Sequence, residues 1–362
     1  MGFHEFSSPY DWSRIAAYKR TAKAAFGGMI DLSVGSPVDP VPDSVRKSLA
    51  AAANDPNAYG YPATAGTADL RTAIAEWFSA TRNVDLQAIH ADVVPTVGSK
   101  EGVALMASLL HFGEDDVVVQ PKVSYPTYEI GTQLAGAKVL KVDDVADVAS
   151  WRNVPGVKAV YSAERMAGIV AAAREIGAVV LSDECYALMQ WRGAVNGAEG
   201  EADSLASTPC ALCDDVCLGS AEGVLVLYSL SKQSNMAGYR TAFIAGDESL
   251  IASMSAYRKQ IGQIIPGPVQ AAMAAGLRDL ESVKVQHARY RERLGVLVSA
   301  LRAYGYCTDM PDGALYVWVR AKSGDCWTDM EQLAKIGIIA SPGEFYGAPE
   351  CLRFSATATD EA

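Results

Sequence analysis

Long apolar runs are missing from this sequence. Stretches such as Val103–Leu110 stop well short of the roughly 20 residues a helix needs to cross a bilayer. Excess positive charge is missing too. Lys and Arg total 31 against 42 Asp and Glu, a net charge of −11, whereas a nucleic-acid binder presents a basic face to phosphates. The opening residues, Met1 to Ser13, are polar and aromatic and lack the charged-then-apolar profile of a signal peptide. The expectation is a cytoplasmic chain that binds neither membrane nor nucleic acid. Histidine is scarce: His4, His90, His111 and His287 are scattered and form no cluster. Cysteine is not scarce, but seven is an odd number, and a chain this large needs no disulfide staples, so reduced thiols are expected. Cys210, Cys213 and Cys217 form C-x-x-C-x-x-x-C, a spacing that invites a metal or iron–sulfur cluster. No fourth ligand is nearby, since Cys185 lies upstream in another element, so no metal is expected.

What the sequence does have is alternation. Apolar strand-like runs recur at Ile30–Val34, Val93–Thr96, Val117–Gln120, Val139–Val142, Val157–Tyr161, Ala178–Leu181, Val224–Tyr228 and Thr241–Ala245. Helical patterns such as Ala68–Ala80, Glu101–His111, Thr127–Leu134 and Met166–Glu175 lie between several of them. The middle runs are apolar throughout, as strands buried on both faces are. This predicts an α/β fold: a large domain over residues 45–268 with a mostly parallel central sheet flanked by helices. Past Pro268 the pattern changes to a long helix over Val269–Gly305, strands at Leu315–Val319 and Leu352–Ser355, and a short helix at Asp329–Ile336. Residues 1–44 and 269–362 are therefore expected to form a small α+β domain drawn from both termini.

In parallel sheets, ligands bind at the carboxyl ends of strands, and polar residues follow apolar strands at four places. A strand runs into Gly98, and a helix opens at Ser99 and Lys100, so free backbone N–H groups make an anion site, with an N-cap as the commoner role for such a serine. Asp183 ends the strand Val179–Leu181, where a carboxylate needs a cation or a strong donor: a salt bridge, or a positively charged ring nitrogen. Lys232 follows the strand Val224–Tyr228 between Ser229, Ser231 and Arg240. A lysine there can have a lowered pKa and form Schiff bases, while the serines and arginine suit a phosphate dianion. Arg353 sits inside an apolar terminal strand and needs a carboxylate, from the core or from a bound amino acid. Together these point to pyridoxal 5′-phosphate chemistry on an amino acid.

At this point the sequence resembles the class I/II aminotransferases of the fold-type I pyridoxal-phosphate enzymes, over nearly its whole length. The resemblance rests on the lysine signature Ser229 to Ala242, on Ile30–Pro37, on Tyr61–Arg71 and on Pro121–Tyr128. Thr241 stands where the family has an aliphatic residue. Among subfamilies, the phrases Asp31–Asp39 and Ser229–Arg240 are most similar to the actinobacterial N-succinyldiaminopimelate aminotransferases of lysine and diaminopimelate biosynthesis. The resemblance implies that Lys232 is the Schiff-base lysine and the base that moves the α-proton, and that Asp183 keeps the pyridine nitrogen protonated. It further implies that Tyr186 bonds the ring's phenolic oxygen and that Tyr125 stacks on the ring. The backbone at Gly98, Ser99 and Lys100, with Ser229, Ser231 and Arg240, would take the phosphate. Tyr61 would reach the phosphate of a neighbouring subunit, implying a homodimer with shared active sites. Arg353, helped by the Gly35 backbone, would clamp the substrate α-carboxylate. Glutamate is the implied donor and an N-succinylated amino-keto acid the acceptor.

One departure stands out. The family has an Asn-Pro-x-x-Gly-type turn after the strand corresponding to Val157–Tyr161, and here Tyr161 passes directly into Ser162 and the next helix. The expectation drawn from it is a physical gap between residues near Tyr161 and Ser162. Two rivals stay open: another reaction on the same scaffold, such as C–S lysis or a transamination of different specificity, and an inactive cofactor-binding homologue.

Overall fold

The computed structural model describes residues 10–55, 58–162, 166–191 and 210–360. Its strands are β1 (Ile30–Asp31), β2 (Ala91–Val97), β3 (Val117–Pro121), β4 (Lys138–Val142), β5 (Val157–Ser162) and β6 (Val179–Asp183). They continue with β7 (Val224–Ser229), β8 (Thr241–Asp247), β9 (Tyr316–Arg320), β10 (Ile338–Ile339), β11 (Ser341–Pro342) and β12 (Cys351–Ser355). Among the described residues, seven of them form one sheet in the order β2-β8-β7-β6-β5-β3-β4. Only β8 runs against its neighbours; the β3–β4, β3–β5, β5–β6 and β6–β7 pairs are all parallel. Helices cover both faces, as a mostly parallel sheet requires. Every residue of β7 is buried, which is why its sequence, Val-Leu-Val-Leu-Tyr-Ser, shows no alternation. The α/β expectation holds.

Local signals explain where the helices start and stop. The helix Ala68–Arg82 opens where the Thr67 hydroxyl accepts from the Leu70 amide at 3.2 Å and closes at Asn83, which is left-handed at φ 53°. Two expectations need correction. Residues 269–305 are not one helix but two, Gly267–Arg278 and Leu280–Ala303. Asp279 between them is non-helical (φ −86°, ψ 66°), and its carboxylate accepts from the Ser282 amide at 3.0 Å and from the Ser44 hydroxyl. An N-cap of this kind restarts the helix in a new direction. Nor is there a break at Tyr161. Tyr161 and Ser162 are consecutive residues of β5, paired with Leu181 and Ser182 of β6; residues 163–165 lie outside the described residues.

The run at Ile30–Val34 is a strand only over Ile30–Asp31, and it joins β10 in parallel rather than entering the large sheet. Its neighbours β11, β12 and β9 make a separate antiparallel sheet. One apolar cluster unites Ile15, Ala22 and Leu32 with Tyr290, Leu294, Val317, Leu333 and Phe354. The helix Gly267–Arg278 instead gives Ala272, Met273 and Leu277 to the cluster around Trp77, Phe78 and Tyr228. Packing partners thus change along Leu280–Ala303, between Val283 and Tyr290. Where the two clusters meet, the carboxyl ends of β6 and β7 face β9 and β12 across a cavity of about 690 Å³, a volume typical of small-molecule sites.

Candidate active site

The cavity wall carries Gly35, Ser99, Lys100, Tyr125, Asp183, Tyr186, Ser229, Ser231, Lys232, Arg240 and Arg353. Residues from near both ends of the chain, Gly35 and Arg353 among them, therefore converge. Tyr61 is not among them; it is fully exposed, at 103 %. Gly98 shapes the wall from behind. It stands at φ 78° before the helix Ser99–Leu109, and a Cβ there would run into the Arg240 guanidinium. Only glycine lets that cation lie against the helix's first turn, whose N–H groups have no intrahelical acceptor. Arg240 is itself left-handed (φ 57°) and donates to the Ala237 carbonyl at 2.8 Å.

Lys232 lies in the short helix Leu230–Gln233 that follows β7, and its Nζ donates to the Gly35 carbonyl. Burial, with the Arg353 charge as a lesser cause, lowers its pKa from 10.5 to about 8. The two serines beside it are tied to each other: the Ser231 amide donates to Ser229 Oγ at 3.1 Å, and the two hydroxyls lie 2.8 Å apart. Ser229 is thus the N-cap of its helix as well as part of the wall. Gly35, whose backbone the resemblance pairs with Arg353 at a substrate carboxylate, here presents its carbonyl to Lys232 Nζ.

At the end of β6 two adjacent carboxylates behave differently. Glu184 is paired with the buried Arg82 at 3.0 Å and also accepts from the Ser182 hydroxyl and the Ala211 amide. Asp183 faces the cavity. It accepts from the Tyr128 hydroxyl at 2.8 Å and from the Cys185 amide at 3.2 Å, and has no ion-pair partner among the described residues. Tyr128 is in turn stacked on Tyr161, with ring centroids 4.0 Å apart. Burial pushes the Tyr128 phenol well above its usual range, with the Asp183 charge adding to it, so this hydroxyl stays a donor. Across the cavity the Tyr186 and Tyr316 hydroxyls are hydrogen-bonded at 2.7 Å. Arg353 is sandwiched between the Tyr316 and Tyr346 rings, 4.0 and 4.3 Å from their centroids. It reaches the Ser33 carbonyl at 3.3 Å, while its buried Nε has no hydrogen-bond partner among the described residues.

Among the described residues Asp183, Arg240 and Arg353 have no counter-ion, and the buried Nε of Arg353 has no hydrogen-bond partner. Leaving such groups unmatched is costly unless a ligand completes them. A protonated pyridine nitrogen, a phosphate and an amino-acid carboxylate are the three complements these groups require, and Lys232 Nζ stands between them. The residues fit pyridoxal phosphate with an amino acid. Sequence reasoning missed Tyr128, Tyr316, Trp318 and Tyr346. Tyr128 lies in a quoted motif without a role; Tyr316 and Trp318 carry no motif and are brought in by the register of β9 with β12, and Tyr346 by the short turn Gly343–Tyr346.

The model of the class I and II aminotransferase family matches residues 27–153 and 159–362. The chain belongs to that family, whose members depend on pyridoxal phosphate. It is 38 % identical to a 4-dedimethylamino-4-oxo-anhydrotetracycline transaminase of Streptomyces rimosus, over 97 % of this chain and 96 % of that one. It is 37 % identical to a probable aminotransferase of Mycobacterium tuberculosis, covering 97 % of this chain and 82 % of the relative. Among solved structures, a probable N-succinyldiaminopimelate aminotransferase of Thermus thermophilus superposes with a TM-score of 0.80 at 25 % identity, over 97 % of this chain and 96 % of the other.

Proposed function

We propose that this aminotransferase moves an amino group from glutamate to an amino-keto acid of the N-succinyldiaminopimelate type, with Lys232 as its central residue. The observation that carries the catalytic reading is the convergence of Lys232 with three charged groups that have no counter-ion among the described residues. When bound, pyridoxal phosphate supplies an electron sink for the pair left at the α-carbon when its proton leaves. The chain does the rest. Arg353 grips the α-carboxylate through its planar fork, and the Tyr316 and Tyr346 rings hold that fork in place. Lys232, buried and with a lowered pKa, would take the α-proton once its Nζ leaves the Gly35 carbonyl. Asp183, oriented by Tyr128, would accept the ring N–H. Arg240, the first turn at Ser99 and Lys100, and the serines 229 and 231 would hold the phosphate; Tyr186 would donate to the phenolic oxygen and Tyr125 would cover the ring. Tyr61, exposed on this chain, would complete a second copy's site.

The acceptor proposal is supported by the subfamily phrases Asp31–Asp39 and Ser229–Arg240 and by the Thermus relative. A second reading is favoured by the cavity mouth. Trp12, Val34, Val123, Trp318 and Tyr346 line it, and the first four of these are 38–51 % exposed. Clustered exposed apolar side chains mark a surface that expects an apolar ligand, and the Streptomyces relative is named for a polycyclic ketone. One experiment separates the readings: convert the loaded enzyme with glutamate, then follow visible absorbance as acceptors are added. Recovery with the succinylated keto acid supports the first reading, and recovery only with flat aromatic ketones the second. If glutamate leaves the spectrum unchanged, the donor assignment falls.

A further inference from the structure

The cysteine motif near residue 210 takes no part in the cavity, yet it has an arrangement of its own. Cys210 and Cys213 face each other across one turn, closed by the Cys213 amide donating to the Cys210 carbonyl at 3.0 Å. Both side chains gather at Arg82, Cys213 Sγ at its carbonyl and Cys210 beside its guanidinium. A turn of this kind brings its end Cα atoms within about 7 Å, the span a disulfide can bridge. The two thiols are unequal. Cys210 is fully buried beside the Arg82 guanidinium, whereas Cys213 is only partly buried and donates to the Arg82 carbonyl at 3.5 Å. Burial drives the Cys210 thiol well up, while the hydrogen bond from Cys210 and the nearby Arg82 charge bring Cys213 down to about 7. Cys217 is turned away, donating to the Leu212 carbonyl at 3.5 Å, and its thiol is raised by burial. Among the described residues no group of His, Cys, Asp and Glu is arranged to hold a metal ion.

We propose that Cys210 and Cys213 form an oxidisable dithiol, a modification site outside the catalytic cavity, which hydrogen peroxide closes to an intramolecular disulfide. Cys213, as thiolate, attacks one peroxide oxygen; the S–O bond forms, the O–O bond breaks, and the departing hydroxide takes a proton to become water. Cys213 is then a sulfenic acid. The Cys210 sulfur displaces its hydroxyl: the S–S bond forms, the S–O bond breaks, and the hydroxyl leaves with the Cys210 proton as a second water. Two thiols lose two electrons in all, and one peroxide is reduced to two waters. The partly exposed, acidic thiol is the one positioned to react first, and the buried one resolves it. The turn also touches the catalytic frame, because the Ala211 amide donates at 2.8 Å to Glu184, the residue after Asp183.

The test uses the full-length protein loaded with pyridoxal phosphate, treated with hydrogen peroxide, alkylated and mapped. Two of the seven thiols should become resistant to alkylation, with a Cys210–Cys213 link that makes the peptide about 2 Da lighter and is reversed by dithiothreitol. Cys217→Ser should still form the link. Cys210→Ala should form none, and Cys213 should proceed to the sulfinic acid, about 32 Da heavier. Should that buried substitution impair folding, the wild-type peroxide map serves alone, with the dithiothreitol-reversible Cys210–Cys213 link as its readout. A link joining other cysteines would overturn the proposal. So would a Cys210 and Cys213 that stay fully alkylatable while the exposed Cys307 is oxidised.

Discussion

At the scale of single residues, the account turns on charges that the protein leaves for its ligands. Arg353 has two aromatic faces and one carbonyl around it, but no carboxylate among the described residues. Arg353→Ala should therefore weaken glutamate binding while leaving the cofactor in place. A charge-assisted pair of about 1.5–3 kcal/mol translates to a roughly ten- to hundred-fold loss. Titrating the loaded variant with glutamate measures this, and unchanged affinity would make Arg353 a core residue. Lys232 makes a prediction about pH. Only the neutral amine condenses with an aldehyde, and burial lowers this amine to about 8. Covalent loading by pyridoxal phosphate should therefore quicken as pH rises and level off just above 8, by stopped-flow absorbance. A rate still climbing at pH 10 would mean an ordinary exposed lysine. Asp183 and Lys232 were legible in the sequence because polar residues directly after wholly apolar strands stand out. Tyr128 and Tyr316 were not, because a tyrosine in an apolar stretch looks like core until the packing across domains is known.

At the scale of elements, the phosphate corner depends on one strand-to-helix junction. Gly98 holds φ 78° and leaves room for Arg240. Gly98→Ala would strain the backbone by about 1–3 kcal/mol and push the guanidinium off the helix's first turn. Urea denaturation should show that loss, and pyridoxal phosphate affinity should fall with it; a variant as stable and as tightly loaded as wild type would refute the close approach. The central strands were readable because each is short, apolar and bounded by turn residues. The sequence shows one long helix because periodicity continues across Asp279, and only the cap it places on Ser282 reveals the restart. The two-residue strands β10 and β11 are too short to carry any periodic signal. The expected break after Tyr161 came from comparing a motif with a missing turn, and backbone pairing with β6 overrules it.

At the scale of the whole molecule, the cavity lies between a large sheet and a small unit built from both ends of the chain, so neither part makes the site alone. Tyr59 and Tyr61 are 87 % and 103 % exposed, and large aromatics are seldom left so free of contact. The proposed homodimer should sediment at about twice 38.3 kDa. A stronger check mixes Tyr61→Ala chains with Lys232→Ala chains. If Tyr61 serves the neighbouring copy, each mixed dimer regains one complete site, and roughly a quarter of wild-type activity should return on statistical mixing. No recovery would confine Tyr61 to its own chain.

The central claim is that Lys232, between Ser229 and Arg240, is where this chain holds its cofactor. Borohydride reduction of the loaded protein followed by peptide mapping tests it most directly. The account predicts one pyridoxyl group per chain, on Lys232, and none in Lys232→Ala; a label on Lys100 or Lys259 instead would contradict it.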